Sequence, residues 1–275
     1  MEGHGALPDL GDRIVHGDRP SARPIDVTFL GNCGFLVQAG GKKIMFDLEG
    51  PAESYSRLAA NQPPFDDIDA ILISHAHGDH INPAKMLEGL SRNRKLTVYV
   101  TIETRDEMKK TDPSLFARLE NRVIAVDPFA SGRIEKTIAG MNVEFLGFYH
   151  GSDSKLDHPP QVLGFVVEMN GTRIFHLSDV DFRDGKNVKA LKDWASKNEK
   201  INLLFCHWGL LIENPYTSKE ILDLVKTSIR PEWVVPMHVI PEVFTFDQVE
   251  AKTRENYPQL FVFRINLEKK EFSSL

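Results

Sequence analysis

With 275 residues, 41% apolar and 26% charged, the chain has the size and make-up of one large soluble domain or two small ones. A net charge of -6, with no basic stripe interleaved with aromatics, argues against nucleic acid as a partner, and two distant cysteines, Cys33 and Cys206, make no disulfide framework. No apolar run reaches membrane-spanning length, and Met1-Glu2-Gly3-His4 lacks the basic and apolar segments of a secretory leader, so a cytoplasmic protein is expected.

Residues 1–24 are rich in Gly, Pro, Asp and Arg without periodicity and read as a loosely ordered arm; residues 25–275 read as a single domain. Branched and aromatic content predicts a strand at 25–30. Strands at 34–39 and 42–46 flank Gly40-Gly41, a two-residue hairpin turn. A helix is expected near 53–60, stopped by Pro63-Pro64. The run Ala70-Ile71-Leu72-Ile73 reads as a strand buried on both faces, and Pro83 opens a helix to about residue 89. A strand at 97–100, helices at 103–110 and 114–120, and strands at 123–126 and 142–148 complete the first half. In the second, strands at 162–168 and 172–177 meet at Asn170-Gly171, a strong hairpin signal that outweighs the glycosylation sequon it also matches. A helix at 187–197, a strand at 201–206, a helix at 218–228 capped by Ser218, a strand at 233–235, a helix at 246–255 and strands at 261–265 and 271–272 follow. Each half holds strands followed by helices, which predicts two sheets face to face with helices outside.

The chemistry concentrates where strands end, the places from which a rigid scaffold presents functional groups. His75-Ala76-His77-Gly78-Asp79-His80, directly after Ser74, packs three imidazoles and a carboxylate into six residues, with the small Ala76 and Gly78 expected to permit a tight turn. An isolated His pair would read as a solvated polar loop; this density of nitrogen and oxygen donors points instead to zinc, manganese or iron. His150, Asp179 and His238 also follow predicted strands.

At these residues the chain resembles the metallo-β-lactamase superfamily, whose signature is His-x-His-x-Asp-His after a buried strand. The likeness extends to residues 30–37 and 43–47, similar to the family's opening hairpin, to Phe148-Tyr149-His150-Gly151-Ser152, to Ile174-Phe175-His176-Leu177-Ser178-Asp179, with Ser178 where a glycine is usual, and to Val235-Pro236-Met237-His238. The last form is most similar to the branch with ascorbate-phosphate lactonase-like hydrolases and phospholipase D-like enzymes acting on N-acyl phosphatidylethanolamine. The resemblance implies an α/β fold, the four-layer αββα sandwich, and two divalent metal ions, zinc in the first place and otherwise manganese or iron. It implies His75, His77 and His150 on the first ion, Asp79, His80 and His238 on the second, Asp179 bridging, and a hydroxide between the ions as nucleophile. Two ions, two aspartates and one hydroxide sum to about one positive charge, which would attract an anion. The expected reaction is hydrolysis of an ester-like bond, a lactone, carboxylic ester or phosphoester, of an anionic small molecule. A phosphodiesterase acting on a lipid or nucleotide, and a non-catalytic metal-binding or sensing module, are the competing readings.

The chain departs from the family where Cys33 stands near the place of a His in the opening hairpin, and where Leu48-Glu49-Gly50 follows Asp47 in place of the usual proline. Asp47 is expected to support the histidine loop as an acceptor. His176 either orients a ligand or is a buried, hydrogen-bonded histidine. His207 either serves catalysis as a proton donor or shuttle or packs beside Trp208. Cys33 and Cys206 read as small buried apolar residues, and Cys206 is not expected among the ligands. Ser152, Asp153, Lys155, Asp157 and His158 form a polar loop that could border the mouth, where Lys155 or Arg183 could grip an anionic group. His4 and His16 lie in the arm and carry no expected chemistry.

Overall fold

The computed structural model describes residues 24–151, 160–197, 200–212, 219–239, 245–254, 256–263 and 268–272. The predicted arm, apart from Pro24, lies outside them, as do the polar loop at 152–159 and the Ser218 cap.

Three strands, β1 (Ile25–Gly31), β2 (Gly34–Ala39) and β3 (Lys42–Phe46), form an antiparallel meander. Helix α1 (Ala52–Ala59) then returns the chain to β4 (Ala70–Leu72), which pairs parallel with β3. Helix α2 (Pro83–Arg92) leads to β5 (Val98–Val100), and α3 (Ile102–Thr111) and α4 (Pro113–Leu119) lead to β6 (Val123–Ala125), both strands again parallel. The second half repeats the plan. Strands β7 (Arg133–Ile138), β8 (Met141–Tyr149), β9 (Gln161–Met169) and β10 (Thr172–His176) form an antiparallel meander. Helix α5 (Gly185–Ala195) crosses to β11 (Leu203–His207), and α6 (Lys219–Leu224) to β12 (Trp233–Met237), both parallel to their neighbours. After α7 (Phe246–Arg254), β13 (Lys269–Phe272) joins the edge of β1. Among the described residues this gives a seven-stranded sheet, β13-β1-β2-β3-β4-β5-β6, and a six-stranded sheet, β12-β11-β10-β9-β8-β7.

Three buried apolar clusters correspond to the three interfaces of a four-layer sandwich. Strand side chains alternate between faces, so Phe35, Phe46, Phe165 and Phe205 meet between the sheets. Leu36, Met45 and Ile71 face Leu58, Leu87 and Leu90 of the helices on one side, while Val166, Phe175 and Leu204 face Leu191, Trp194 and Ile221 on the other. This is the αββα arrangement expected from the sequence, with apolar strands continuous because both faces are buried.

The hairpins at Gly40-Gly41 and Asn170-Gly171 are as predicted, with positive φ at both central residues. A third of the same kind, at Ala139-Gly140 (φ 49° and 81°), closes β7 on β8. β7 escaped prediction for two reasons: its edge position leaves it mostly solvent-exposed and charged, and alanine disguises the turn. Residues 261–263 are not a strand; Leu260 makes an isolated bridge to Val234, and the aromatic content there serves packing, as Phe263 lies in the inter-sheet core. The helix predicted to reach 228 ends as α6 at Leu224 and continues as a single π-turn, Val225–Ile229. No helix among the described residues is long and apolar enough to cross a membrane.

Candidate metal centre

Both sheets deliver donors to one edge of the sandwich. The histidine loop leaves β4, His150 follows β8, Asp179 lies just beyond β10, and His238 follows β12. The turn linking β1 to β2 supplies Asn32 and Cys33.

The histidine loop is anchored from below by Asp47, which is wholly buried. Its carboxylate accepts from the Ser74 backbone N–H at 2.7 Å and from Ser74 Oγ at 2.8 Å, and it lies 2.8 Å from His80 Nδ1. With Nδ1–H given to Asp47, the His80 ring turns Nε2 towards Asp179 Oδ2, 3.2 Å away. A carboxylate behind an imidazole in this way fixes both tautomer and ring orientation for a ligand. The loop closes on backbone bonds from His80 N and Ile81 N to the His77 carbonyl. Gly78 is not needed for that turn: its φ is not positive, and an added Cβ would meet nothing within 4 Å. The steric argument for a small residue there fails, and the open space above the loop is what the structure offers instead.

All seven residues singled out from the sequence come together, in two groups. One nitrogen from each of His75, His77 and His150 lies within 4.8 Å of the others, with His75 Nε2 3.0 Å from His77 Nδ1. His80, Asp179 and His238 gather in the same way, and Cys33 joins them. Asp179 Oδ2 stands between the groups, 3.0 Å from His238 Nε2 and 3.9 Å from His150 Nε2. Asp79 Oδ2 lies 3.1 Å from His238 Nε2 and 3.7 Å from His80 Nε2.

This donor set fits divalent ions. A tetrahedral ion at ~2.0–2.1 Å from each nitrogen spaces its ligands about 3.4 Å apart, close to the separations seen. The electrostatics agree. Burial, with the neighbouring His80 charge, pushes His75 well below the ordinary histidine range, and burial likewise lowers His77, favouring the neutral imidazole that ligates a metal. In the other group burial disfavours every charge, yet mutual contacts prevail. Hydrogen bonds to Asp179 and Asp79 raise His238 to about 10. The His238 hydrogen bond and the His80 charge hold Asp79 at about 2, and Asp179 is held well below the carboxylate range. Protons on two imidazoles thus stand where positive charge is called for, and a cation satisfies the same demand.

Backbone strain gathers here as well. Asn32 (φ 42°), Asp47 (44°), Ser178 (58°) and His238 (61°) are all left-handed non-glycine residues, each costing on the order of 1–3 kcal/mol. Ser178 thus occupies a position whose conformation suits the glycine usual there.

The remaining candidates separate. His176 offers no atom to either donor group: Nε2 lies 3.0 Å from the Cys33 carbonyl, and its buried ring stacks on Phe46 at 5.0 Å. His207 ends β11, its Nδ1 accepting from the Gly209 N–H at 3.0 Å. Its ring stacks on Trp208 but also lies 5.1 Å from the His238 ring, and burial pushes it down to about 4. Arg183 forks onto Asp181 beside Gly151, the residue after His150. Lys155 and its loop lie outside the described residues.

Four contributors were missed. Ser74 Oγ reaches Asp47, His75 Nδ1 and His80 Nδ1 at 2.8–3.1 Å; its place directly before His75 was the available signal. Asn32 Nδ2 donates to Asp79 Oδ2 at 3.0 Å across 47 positions, with no local signature. Glu49 is raised by burial and by the Asp79 charge, which sets it near the same donors. Cys33 is buried as expected, but beside the donors.

An αββα sandwich carrying two donor clusters on one edge defines a class, and sequence comparison agrees with it: residues 45–238 match the beta-lactamase superfamily domain. The chain belongs to that superfamily. It is 28% identical over 218 residues to a metal-dependent hydrolase of Thermococcus kodakarensis, covering 78% of this chain and 84% of that protein. Among solved structures it is similar to the metallo hydrolase Igni18 of Ignicoccus hospitalis, with 19% identity, a TM-score of 0.57, and coverage of 91% of this chain and 99% of that one. It is also similar to CmlA, a diiron beta-hydroxylase of Streptomyces venezuelae, with 14% identity, a TM-score of 0.58, and coverage of 92% and 54%. These likenesses concern the fold.

Proposed function

We propose that this chain is a metal-dependent hydrolase that uses two divalent ions, zinc in the first place, to cleave an ester-like bond of an anionic small molecule. The observation that carries the reading is the pair of donor clusters joined by Asp179 Oδ2. His75, His77 and His150 would hold one ion and Asp79, His80 and His238 the other, with Asp179 placed between them to serve both. When bound, the ions supply Lewis acidity to the scissile carbonyl or phosphoryl group and lower the pKa of water from about 15.7 to about 7.

The chain's own residues do the rest. Asp47 and Ser74 keep the histidine loop in one arrangement, so that no reorganisation is needed when substrate arrives. Asn32 steadies the partly exposed Asp79 carboxylate. Because His207 Nδ1 accepts from Gly209, the neutral ring carries its proton on Nε2, ready to donate to a substrate oxygen or to the departing group. The relative named a metal-dependent hydrolase supports the reaction class.

The test is a panel of lactones, carboxylic esters and phosphodiesters assayed with and without chelator. Turnover of an anionic ester or lactone, abolished by chelator and restored by zinc, is expected. On the best substrate His207→Ala slows turnover ~100-fold or more with metal content unchanged. Turnover that survives complete metal removal overturns the proposal, and turnover of phosphodiesters alone replaces the substrate class.

A further inference from the structure

The β1–β2 turn places a sulfur where the ligand set implied by the family has none. Cys33 is fully buried at the top of the inter-sheet core. Its Sγ lies 3.8 Å from Asp179 Oδ1, and it lies within 4.8 Å of the donor atoms of His80, Asp179 and His238. Its position is set from both sides: His176 holds its carbonyl oxygen, and Asn32, the residue before it, is tied to Asp79. The next residue, Gly34, allows little movement, since an added Cβ would stand 3.1 Å from Gly31 O and Leu30 Cβ.

Resting on the metal-centre reading above, we propose that Cys33 Sγ is itself a ligand of the second ion, so that its donor set contains one sulfur alongside His80, His238 and the carboxylates. Neighbouring donors about 110° apart on one ion, a sulfur at ~2.3 Å and an oxygen at ~2.1 Å, are separated by about 3.6 Å; Sγ stands 3.8 Å from Asp179 Oδ1, the oxygen of that carboxylate not turned to His80 and His238. Asp79 closes the set from the solvent side, its side chain 36% exposed, and Cys33 closes it from the core. A thiolate here brings the sum of two ions, two aspartates and one hydroxide from about one positive charge to about neutral, so attraction of an anionic substrate then rests on the ions' open coordination positions and not on net charge. On coordination the Sγ–H bond breaks, the proton passes to water, and an Sγ–metal bond forms; nothing is oxidised. Cys206 provides the contrast. It is equally buried but lies in the outer cluster, outside both donor groups. A thiolate donor favours zinc or cobalt over manganese at this position.

The test replaces the metal with cobalt(II) in the full chain and reads the absorption spectrum. Wild type and Cys206→Ser are expected to show a thiolate-to-cobalt charge-transfer band in the near ultraviolet as the second equivalent binds, together with visible d–d bands. Cys33→Ser is expected to keep the d–d bands, lose the charge-transfer band and bind the second ion ~10-fold or more weakly, the scale on which even an outer partner of a ligand counts. Visible bands without charge transfer in the wild type overturn the inference and leave Cys33 as an S–H donor to Asp179, with the metal centre intact. Absence of any cobalt spectrum overturns the metal centre as well. Because the wild-type spectrum decides, the result does not depend on the variant folding.

Discussion

Replacing Asp47 by alanine probes the one residue on which the whole histidine loop leans. The carboxylate is inaccessible to solvent and serves the Ser74 N–H, Ser74 Oγ and His80 Nδ1. Ser74 Oγ keeps partners in His75 Nδ1 at 3.0 Å and His80 Nδ1 at 3.1 Å, so His80 Nδ1–H retains a weaker acceptor, but the buried Ser74 N–H is left without one. An orphaned buried donor costs about 1–3 kcal/mol, and that is the loss expected from the one donor left unpaired. Relief of the left-handed backbone at Asp47 (φ 44°) returns nothing, because alanine adopts that conformation no more readily. The second consequence is on metal. With its tautomer and ring orientation released, His80 binds the second ion about 10- to 100-fold more weakly, while His75, His77 and His150 hold the first nearly as before. Urea unfolding of the metal-free protein measures the stability loss, and zinc titration calorimetry measures the affinities. A loss under about 1 kcal/mol, within the ordinary range for removing one hydrogen bond, would refute the argument, as would unchanged affinity at the second position.

Two further substitutions follow from the packing. His176→Ala should lower stability by about 2–4 kcal/mol through the cavity among Phe46, Phe165 and Phe205 and the lost bond to the Cys33 carbonyl, with metal content kept; loss of an ion would make His176 a ligand after all. Ala139→Asn should raise stability by up to about 1 kcal/mol, because asparagine tolerates the left-handed conformation that alanine holds at strain; thermal unfolding showing no gain would mean that the turn relaxes around alanine at no cost.

Much of this fold was legible because its strands are buried on both faces. Ala70-Ile71-Leu72 and Leu203-Leu204-Phe205 carry no alternation, and their short apolar runs bounded by turn residues could be placed from sequence. β7 could not, since an exposed edge strand such as Arg133–Ile138 buries little and leaves little apolar signal. The seven imidazole and carboxylate groups of the histidine loop and of the ends of β8, β10 and β12 could be picked out by position and chemistry, and their grouping around two ions came from the family resemblance. What escaped was the chemistry of contact. Asn32 on Asp79 and Cys33 beside Asp179 join residues 47 and 146 positions apart, and only the packing of one sheet on the other brings them within reach. Cys33 shows the limit most plainly: its burial was correctly expected, but burial alone does not say whether a thiol faces phenylalanines or imidazoles. Gly78 shows the converse, a residue whose smallness suggested a steric need that the backbone does not have.

The account rests on two ions sharing Asp179. Its most direct test is elemental analysis of purified, zinc-reconstituted protein at neutral pH without chelator, run beside Asp179→Ala with circular dichroism as a check on folding. Two zinc ions per chain in the wild type, and loss of the pair in a folded Asp179→Ala, are predicted. No stoichiometric metal in the wild type, or two tightly held ions in the variant, would contradict the assignment of the centre.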